Sequence, residues 1–261
     1  MTILTIIIPT YDNVLGFSKS IDKLRQQKEY NKSDVSLIIS DDSNNENIYK
    51  YYKSVESSFD NIAYFRGPQL GAVMNWNISM ERSSSDYLMF IHHDEYILSE
   101  FFLNKILKIL VAKDIDLLVL PLVKEKKAKF FKHYPIRLKS IFIRFPSLLF
   151  SCNPFGPPSV LILRSNISEK FDSNLSWFVD VEWYFRILIK RPKVKVLNDM
   201  DYKIVSDLNF DDSITTNLDL TIVQPKEENY IIMKHALSSY KFSFVFKILR
   251  LPVKFLKLFN V

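Results

Sequence analysis

Short apolar runs alternate with segments of helical spacing along the first half of the chain. Residues 2–10, TILTIIIPT, form an unbroken run rich in β-branched residues, which is typical of a strand buried on both faces. The segment 14–29 carries apolar residues three or four positions apart, which predicts a helix. The alternation continues with strands predicted at 35–40, 62–65 and 87–91 and with helices predicted at about 46–58, from near Gly71, and at about 99–112. Strands that alternate with helices predict an α/β fold with a mostly parallel sheet flanked by helices.

The second half of the chain has a different pattern. Residues 116–123, DLLVLPLV, and 160–164, VLILR, each predict a strand. A basic stretch, 124–144, and a proline-rich loop, 153–159, separate these two strands. Residues 177–190, WFVDVEWYFRILIK, are apolar on nearly every helical face and predict a buried helix that two carboxylates interrupt.

Polar clusters follow three of the predicted strands, at 10–13, 41–45 and 92–95. In parallel sheets, ligands bind outside the carboxyl ends of the strands, near the point where the strand order reverses. The three clusters therefore predict a ligand-binding crevice at one edge of the sheet.

Composition narrows the class of protein. The chain has 261 residues, of which 48% are hydrophobic, enough for one large domain or two small ones. A lone cysteine, Cys152, excludes a disulfide framework and a multi-cysteine zinc site. No apolar run approaches the ~20 residues of a membrane-spanning helix, and the chain opens directly into a strand pattern. We therefore expect a cytoplasmic protein.

The net charge of +6 is unevenly distributed. Residues 229–261 carry six basic residues and no acid, residues 124–144 carry eight basic residues and one acid, and the remainder has a net charge of −7. A nucleic-acid binder would carry its basic face on the folded domain itself, so we expect no nucleic-acid partner. Anionic lipid headgroups fit this distribution better, which predicts an anionic membrane surface as a partner.

The segment 241–259 adds to this prediction. Ser243, Lys247, Arg250, Lys254 and Lys257 recur every three or four positions and form a narrow basic stripe on an otherwise apolar helix. A wide apolar face with a basic edge is typical of a helix that lies in the membrane interface. The alternatives are a terminal helix docked on the domain and a helix that binds a protein partner. The first interpretation places the protein peripherally at the inner face of the cell membrane.

Five motifs in order make a family recognisable: IIIPTYDN, IISDDS, GPQLGAVMNWN, DYLMFIHHDE and FVDVEWYFR. Together they resemble the family 2 glycosyltransferases with the GT-A fold, over roughly residues 2–215, and most resemble bacterial members that build O-antigen or capsule polysaccharides. The resemblance implies a Rossmann-like domain at 1–228, with a nucleotide-sugar-binding half at 1–98 and an acceptor-binding half at 99–228. A basic amphipathic tail, 229–261, would follow and associate with the membrane.

The resemblance also implies a donor site. Asp41 and Asp42 stand where the family places an acid that accepts from a nucleobase, since the N3–H of uracil or thymine needs an acceptor. The alternative is ordinary turn chemistry after a strand. Gly71 would permit close backbone approach beneath the donor. The residues expected on the donor side are Pro9, Thr10, Tyr11, Asn13, Asp41, Asp42, Gly71, Asn75 and His93.

A metal site is implied by HHDE, which takes the place of the family's DXD motif. His92, Asp94 and Glu95 are the candidate ligands for Mn²⁺ or Mg²⁺, which would neutralise charge that develops on the diphosphate leaving group. His92 replaces the first aspartate, which removes one anionic ligand. The alternative is a polar loop at a strand end. Family members often carry a late-loop histidine, for which Asp207 or Asn209 would stand in here.

Asp180 matches the family's catalytic base, because it stands six residues before Arg186 in the motif. A carboxylate in reach of the acceptor hydroxyl can take its proton during attack. The alternative is a carboxylate at a helix N-terminus, with Ser176 as the N-cap. Trp177, Glu182 and Arg186 are the acceptor-side candidates, although the last two also have the spacing of an ion pair within one helix.

These observations predict an inverting glycosyltransferase. It would move a sugar from a nucleotide-diphosphate sugar to an undecaprenyl-diphosphate-linked glycan in surface polysaccharide synthesis. One alternative is a catalytically degenerate GT-A domain that binds nucleotide sugar or glycan without turnover. Another is a hydrolase that uses residues 92–95 as metal ligands, which is disfavoured because four adjacent side chains cannot all point at one ion.

Overall fold

The computed structural model describes residues 2–112, 114–127, 129–132, 136–209 and 218–237. The predicted interfacial helix at 241–259 lies outside these residues, as does most of the late loop after Asn209.

Strands and helices alternate through the described part of the chain. The strands are β1 (Leu4–Thr10), β2 (Val35–Asp41), β3 (Ile62–Arg66), β4 (Tyr87–Phe90), β5 (Glu95–Ile97), β6 (Leu117–Val119), β7 (Leu122–Lys126), β8 (Lys129–Lys132), β9 (Leu161–Arg164), β10 (Val194–Val196) and β11 (Ile204–Asp207). The α-helices are α1 (Val14–Arg25), α2 (Asn47–Val55), α3 (Ala72–Glu81), α4 (Phe102–Val111), α5 (Ile136–Arg144), α6 (Val179–Ile189) and α7 (Leu220–Lys234).

A seven-stranded sheet forms the centre, in the order β10-β6-β9-β4-β1-β2-β3. All neighbours in it are parallel except β9, which runs antiparallel to β4 and β6. Every residue of β1 is buried, as its continuous apolar run predicts, because helices cover both faces of the sheet. The predicted α/β class with a mostly parallel sheet flanked by helices is confirmed.

The predicted strand at 116–123 is wrong as a single element. The chain leaves the main sheet after β6 and enters a second sheet at β7, which has the order β5-β11-β7-β8. The break falls at Leu120 and Pro121, where Leu120 N–H donates to the Val160 carbonyl and Ile204 N–H donates to the Pro121 carbonyl. Proline has no N–H, so a continuous ladder through this position would lose a hydrogen bond.

Helix α7 crosses the predicted boundary between residues 228 and 229. The C-terminal half of α7 contacts the rest of the domain, since Ile231 is fully buried and Lys234 bridges Asp172 and Glu182. Its last residues therefore belong to the folded domain rather than to a separate tail. None of the helices in the described ranges combines the length and apolar character that crossing a membrane requires.

Candidate functional site

The carboxyl ends of β1, β2 and β4 meet at the point where the strand order reverses. From β1 the chain adds β2 and β3 on one side of the sheet and then returns to place β4 on the other side. Thr10 at the end of β1 pairs with Asp41 at the end of β2, and Ile91 after β4 donates to the Ile7 carbonyl. The three polar clusters predicted from the sequence thus share one crevice, which is the usual ligand position in such sheets.

Two buried polar atoms at the end of β1 have no hydrogen-bond partner among the described residues. Asn13 caps α1 by accepting from the Gly16 N–H at 2.8 Å, which leaves its Nδ2 without a partner. The Thr10 hydroxyl is buried and equally unpartnered. Buried polar groups are normally satisfied, so these two atoms are candidates for contacts with a ligand.

The start of α1 lies directly against the loop that follows β4. A Cβ added at Gly16 would lie 2.1 Å from the His93 carbonyl oxygen, far closer than any packed contact allows. Glycine at this position therefore lets the 92–94 loop approach the donor side of the crevice. Sequence reasoning missed Gly16, although a glycine three residues after a capping asparagine was visible.

The structure distinguishes between the two candidate aspartates for the nucleobase. Asp41 is fully buried and accepts from Ser43 N–H, the Tyr64 hydroxyl and Arg66 Nη1 at 2.9, 2.6 and 3.1 Å. Asp42 accepts from Gln69 N–H through Oδ1 at 2.5 Å, and no described residue bonds to its Oδ2. Asp42 therefore retains acceptor capacity for a ligand, whereas Asp41 holds the end of β2 in place.

Asn75 supports the crevice from within the domain. Asn75 binds Ser40 twice, accepting from its hydroxyl and donating to its carbonyl. Gly71 is the N-cap residue of α3, and its φ of 89° favours glycine. A Cβ added at Gly71 would meet nothing within 4 Å, and the close approach of a donor to this residue stays a prediction. Gly67 approaches the crevice from within the domain, because its added Cβ would lie 2.5 Å from Asp42 Oδ1.

The other donor-side candidates lie at the same edge. Pro9 is buried within β1, and Tyr11 is 51% exposed just beyond it. The Tyr11 hydroxyl accepts from Asn44 Nδ2 at 3.1 Å. An exposed ring at the rim of the crevice can stack on a planar ligand.

His92 is held by Glu95 through a closed hydrogen-bonded loop. Glu95 Oε2 accepts from the His92 backbone N–H at 2.9 Å and lies 2.8 Å from His92 Nδ1. Its Oε1 accepts from the Ser159 hydroxyl at 2.8 Å. Glu95 is only 2% exposed, because it begins β5 rather than extending the loop. Its contacts therefore do not support the expectation that Glu95 binds a metal.

His92 Nε2 is shielded from solvent and has no partner among the described residues. Burial lowers the pKa of His92, but the nearby carboxylates of Glu95, Asp94 and Asp180 outweigh it and raise the pKa to about 9. Sequence reasoning missed Ser159, which completes this arrangement from a loop 64 positions away.

Asp94 is the least constrained carboxylate of the motif. No described side chain bonds to it, whereas its main-chain oxygen accepts from Asp207 N–H at 2.8 Å. Burial and Glu95 raise the pKa of Asp94 to about 6, against the opposing charge of His92. Asp207 itself accepts from Lys19 at 2.5 Å and from Asn209, so its carboxylate is already used within the second sheet.

Asp180 lies in the first turn of α6, within electrostatic reach of the 92–95 loop. Burial, opposed by the positive His92 and reinforced by Glu95, raises the pKa of Asp180 to about 7. A carboxylate that titrates near neutrality is suited to general base catalysis. The structure thus brings Asp180, 85 positions after Glu95 in the sequence, to the same site as the motif.

The site offers a divalent cation only a small number of protein ligands among the described residues. Within the described ranges, no three His, Cys, Asp or Glu side chains are arranged to hold a metal ion. His92 Nε2 is nevertheless unpartnered among the described residues, and no described side chain bonds to the Asp94 carboxylate. Cations that bind substrate phosphates often use only one or two protein ligands and complete their coordination with phosphate oxygens and water.

The acceptor-side candidates are largely occupied by contacts within the domain. Glu182 is fully buried and accepts from Arg186, Lys234 and His235 at 2.9, 2.7 and 3.0 Å. Arg186 also pairs with Glu169. Glu182 therefore attaches α7 to α6, Arg186 ties α6 to the segment around Glu169, and their contact with an acceptor stays a prediction. Trp177 is half-buried beside Asp180 and remains accessible in part.

A side chain from another helix caps the N-terminus of α6. The N-cap residue of α6 is Phe178, not Ser176. The Phe178 side chain makes no capping hydrogen bond. Glu227 of α7 instead accepts from the backbone N–H groups of Ser176, Trp177 and Phe178. No local sequence signal identifies a cap that arrives from another helix.

Comparison with known proteins is consistent with this geometry. The model of the family described as Glycosyl transferase family 2 matches residues 5–171. No curated protein sequence matches the chain significantly.

Two solved structures illustrate the likeness in fold. Staphylococcus aureus TarS 1-349 in complex with UDP-GlcNAc aligns with a TM-score of 0.70 and 15% identity, over 94% of this chain and 70% of that one. The mannosyltransferase PcManGT from Pyrobaculum calidifontis, in complex with GDP-Man and Mn²⁺, aligns with a TM-score of 0.57 and 11% identity, over 77% of this chain and 56% of that one. Identities this low show a shared fold.

Proposed function

The chain belongs to glycosyl transferase family 2, and from this premise we propose that it transfers a sugar from a nucleotide-diphosphate donor to a lipid-linked oligosaccharide with inversion. The acceptor class that we propose is an undecaprenyl-diphosphate-linked glycan in the synthesis of a surface polysaccharide of the O-antigen or capsule type. The observation that carries the proposal is the meeting of Asp180 with the 92–95 loop at the reversal of strand order.

Asp180 supplies the base. It takes the proton of the acceptor hydroxyl as that oxygen attacks the anomeric carbon, while the bond from this carbon to the diphosphate oxygen breaks. Attack from the face opposite the leaving group inverts the configuration. The raised pKa of Asp180 keeps the carboxylate basic enough to accept a proton near neutral pH.

The donor binds along the ends of β1 and β2. Asp42 Oδ2 accepts from an N–H of the nucleobase, and the exposed Tyr11 ring lies where it can stack on the base. Thr10 Oγ1 and Asn13 Nδ2 are buried and unpartnered, and they provide further contacts. That the similar structures hold UDP-GlcNAc and GDP-Man supports a nucleotide sugar as the donor class.

Mn²⁺ or Mg²⁺ is the proposed cofactor, and Asp94 and His92 would hold it. When bound, a divalent cation neutralises charge on the leaving diphosphate. The similar mannosyltransferase structure contains Mn²⁺, which supports this choice.

The anionic membrane surface remains the proposed partner, with α5 as one contact. Ile141 and Phe145 at the end of α5 are 48% and 53% exposed, and Arg144 between them is also exposed. Ile141 and Arg144 belong to the basic stretch 124–144, and Phe145 follows it directly. Exposed apolar side chains beside basic ones fit the interface of an anionic leaflet.

The short helix after α5 connects this surface to the helix that carries Asp180. The short helix that follows α5, Pro146–Phe150, packs on α6 through Phe150, whose ring lies 5.0 Å from that of Phe185. A membrane bound at α5 would bring a lipid-linked acceptor towards the helix that carries Asp180. We propose on this basis a peripheral location at the inner face of the cell membrane.

The transfer activity is tested with a panel of UDP- and GDP-sugars and undecaprenyl-diphosphate-linked acceptors. The Asp180→Asn variant should bind nucleotide normally and lose transfer on the order of 10²-fold or more. Asp114→Asn is the matched control, because Asp114 is a surface carboxylate paired with Lys193. Nucleotide binding without turnover of any donor would favour the degenerate GT-A alternative.

Membrane binding is tested by sedimentation with anionic liposomes. Joint replacement of Ile141 and Phe145 by serine should reduce salt-sensitive binding without lowering the melting temperature. A chain that ends at residue 237 keeps α7 but lacks the rest of the predicted tail. Its sedimentation therefore shows how much the tail contributes to liposome binding. Equal sedimentation of all three proteins would contradict the proposed membrane surface.

A further inference from the structure

Phe150 connects α5 with the first turn of the helix that carries Asp180. It ends the short helix that follows α5, and its ring is buried. The ring lies 6.4 Å from that of Phe178, the N-cap residue of α6, and 5.0 Å from that of Phe185. Phe178 stands two positions before Asp180 in the sequence. A displacement of Phe150 would therefore act on the turn that holds the proposed base.

The inner side of α5 is held to the domain by a contact that opposes its own docking. Lys139 and Phe142 are 2% and 4% exposed. The Lys139 ammonium donates to the Leu120 carbonyl at 3.1 Å and makes no other hydrogen bond among the described residues. An ammonium has three N–H donors, and burying it without partners for them costs free energy. Docked α5 is thus weakly held, because a loosened helix would return the ammonium to water.

The outer side of α5 carries the residues proposed to meet the membrane. Ile141, Arg144 and Phe145 are three and four positions apart, and the Phe145 N–H donates to the Ile141 carbonyl. Residues at this spacing share one side of a helix. They form a single surface only while the helical turn is in place, so an anionic leaflet has a higher affinity for that state. A partner shifts an equilibrium towards the state that it binds better.

We propose that an anionic membrane surface activates the transfer by holding α5 against the domain. Docked α5 keeps Phe150 in place, and Phe150 keeps the first turn of α6 in place, which makes Phe150 a positioning residue. The inference rests on the proposed function and goes beyond it. A membrane that only gathers the lipid-linked acceptor would leave the turnover of a water-soluble acceptor unchanged.

Hydrogen exchange of the full chain tests the coupling without any acceptor. Vesicles of phosphatidylglycerol should slow amide exchange at 139–150 and also at 176–182, whereas vesicles of phosphatidylcholine should not. Exchange in α3 should stay unchanged and serves as the internal control. Slower exchange at 139–150 alone would overturn the proposal. Faster exchange at 176–182 would also overturn it, because the leaflet would then draw α5 away from the domain.

Turnover of a water-soluble acceptor analogue provides the second test. At saturating donor, phosphatidylglycerol vesicles should raise kcat about 5-fold or more, and phosphatidylcholine vesicles should not. Joint replacement of Ile141 and Phe145 by serine should abolish this stimulation. Val111→Ser is the matched control, because Val111 ends α4 and is 57% exposed, and this variant should keep the stimulation.

Two variants separate the coupling from membrane binding itself. Phe150→Leu should sediment with phosphatidylglycerol vesicles as the wild type does but lose most of the stimulation. Lys139→Met should raise kcat without vesicles and leave less to be gained from them, because docking no longer buries an ammonium. If Phe150→Leu fails to fold, Lys139→Met carries this test. Full stimulation in either variant would overturn the route through α5 and Phe150.

The outcomes distinguish this inference from the proposed function. Vesicle binding with unchanged kcat for the water-soluble acceptor would overturn the activation and leave the transfer reaction intact. Absence of vesicle binding would overturn the membrane partner and the activation together. Slower exchange at 176–182 without transfer from any donor would refute the proposed function, while the coupling of α5 to α6 would stand.

Discussion

Replacing Glu227 with alanine should destabilise the fold and displace the helix that carries Asp180. Glu227 lies on α7 and is 5% exposed. Its two carboxylate oxygens accept from the backbone N–H groups of Ser176, Trp177 and Phe178, and from the Ser176 hydroxyl, at 2.7 to 3.0 Å for the closest contacts. Alanine removes all of these acceptors at once.

The structure gives the size of the effect. Loss of a helix N-cap costs ~0.5–2 kcal/mol, and leaving buried donors unsatisfied costs ~1–3 kcal/mol. The negative charge at the positive end of the α6 dipole contributes up to ~2 kcal/mol in partly buried geometry. Because these contributions overlap and water can reach Trp177, we expect a loss of about 3 kcal/mol, which lowers the Tm by about 6–12 °C.

Differential scanning calorimetry measures this change, and the adjacent residue provides the control. Lys226 lies on the same helix, and its side chain is exposed. Lys226→Ala should therefore lower the Tm by no more than ~2 °C. Glu227→Ala should also reduce transfer while nucleotide affinity is retained, because Asp180 moves and the ends of β1 and β2 do not.

Equal melting temperatures for the two alanine variants would refute the reasoning, since Glu227 would then not be stabilising α6. A large loss of stability with unchanged transfer would show instead that the cap does not position Asp180.

Groups in the core and at the site give four further predictions. The log of kcat/KM should rise with pH to a plateau above about 7, because the raised pKa of Asp180 leaves the base protonated in acid. In EDTA, Asp180→Asn should gain Tm relative to the wild type as pH increases from about 4 to 7 and should gain no more above 7, since between these values the folded carboxyl holds a proton that the unfolded one has lost; a constant difference from pH 4 to 7 would contradict that pKa. Gly16→Ala should lower the Tm and reduce transfer, because its Cβ would strike the His93 carbonyl and push the 92–94 loop out of the crevice. Lys139→Met should raise the Tm at pH 7, because this buried ammonium bonds, among the described residues, only to the Leu120 carbonyl, and burial lowers its pKa to about 8; the gain should shrink as pH rises above 8, and a Tm loss at pH 7 would show that the charge is needed.

Local periodicity was enough to predict the order of elements through the first half of the chain. Burial on both faces leaves an apolar run in β1 and β2, and a single buried face leaves apolar residues three or four apart in α1. Such patterns reflect burial alone, so they failed at 116–123, where one apolar run feeds two sheets. Strands β5, β8, β10 and β11 are too short to show a clear burial pattern, so they were not predicted from the sequence.

The candidate residues were identified by motif, but their roles were decided by partners distant in sequence. Asp41 and Asp42 are chemically identical, and only the positions of Tyr64, Arg66 and Gln69 leave an oxygen free on Asp42. Neighbouring side chains along a strand point to opposite faces, so two adjacent aspartates meet different surroundings.

The sequence by itself determined the fold class and the crevice at the strand ends, because strand and helix patterns are local, and its motifs supplied the candidate side chains. Only the tertiary structure decided that Glu95 supports His92, that Glu227 caps α6 and that Glu182 holds α7. The physical reason is that a hydrogen bond or an ion pair is set by the packing of whole elements. That packing brings Phe178 and Glu227 together across 49 positions of sequence, a relationship that neither residue's neighbours encode.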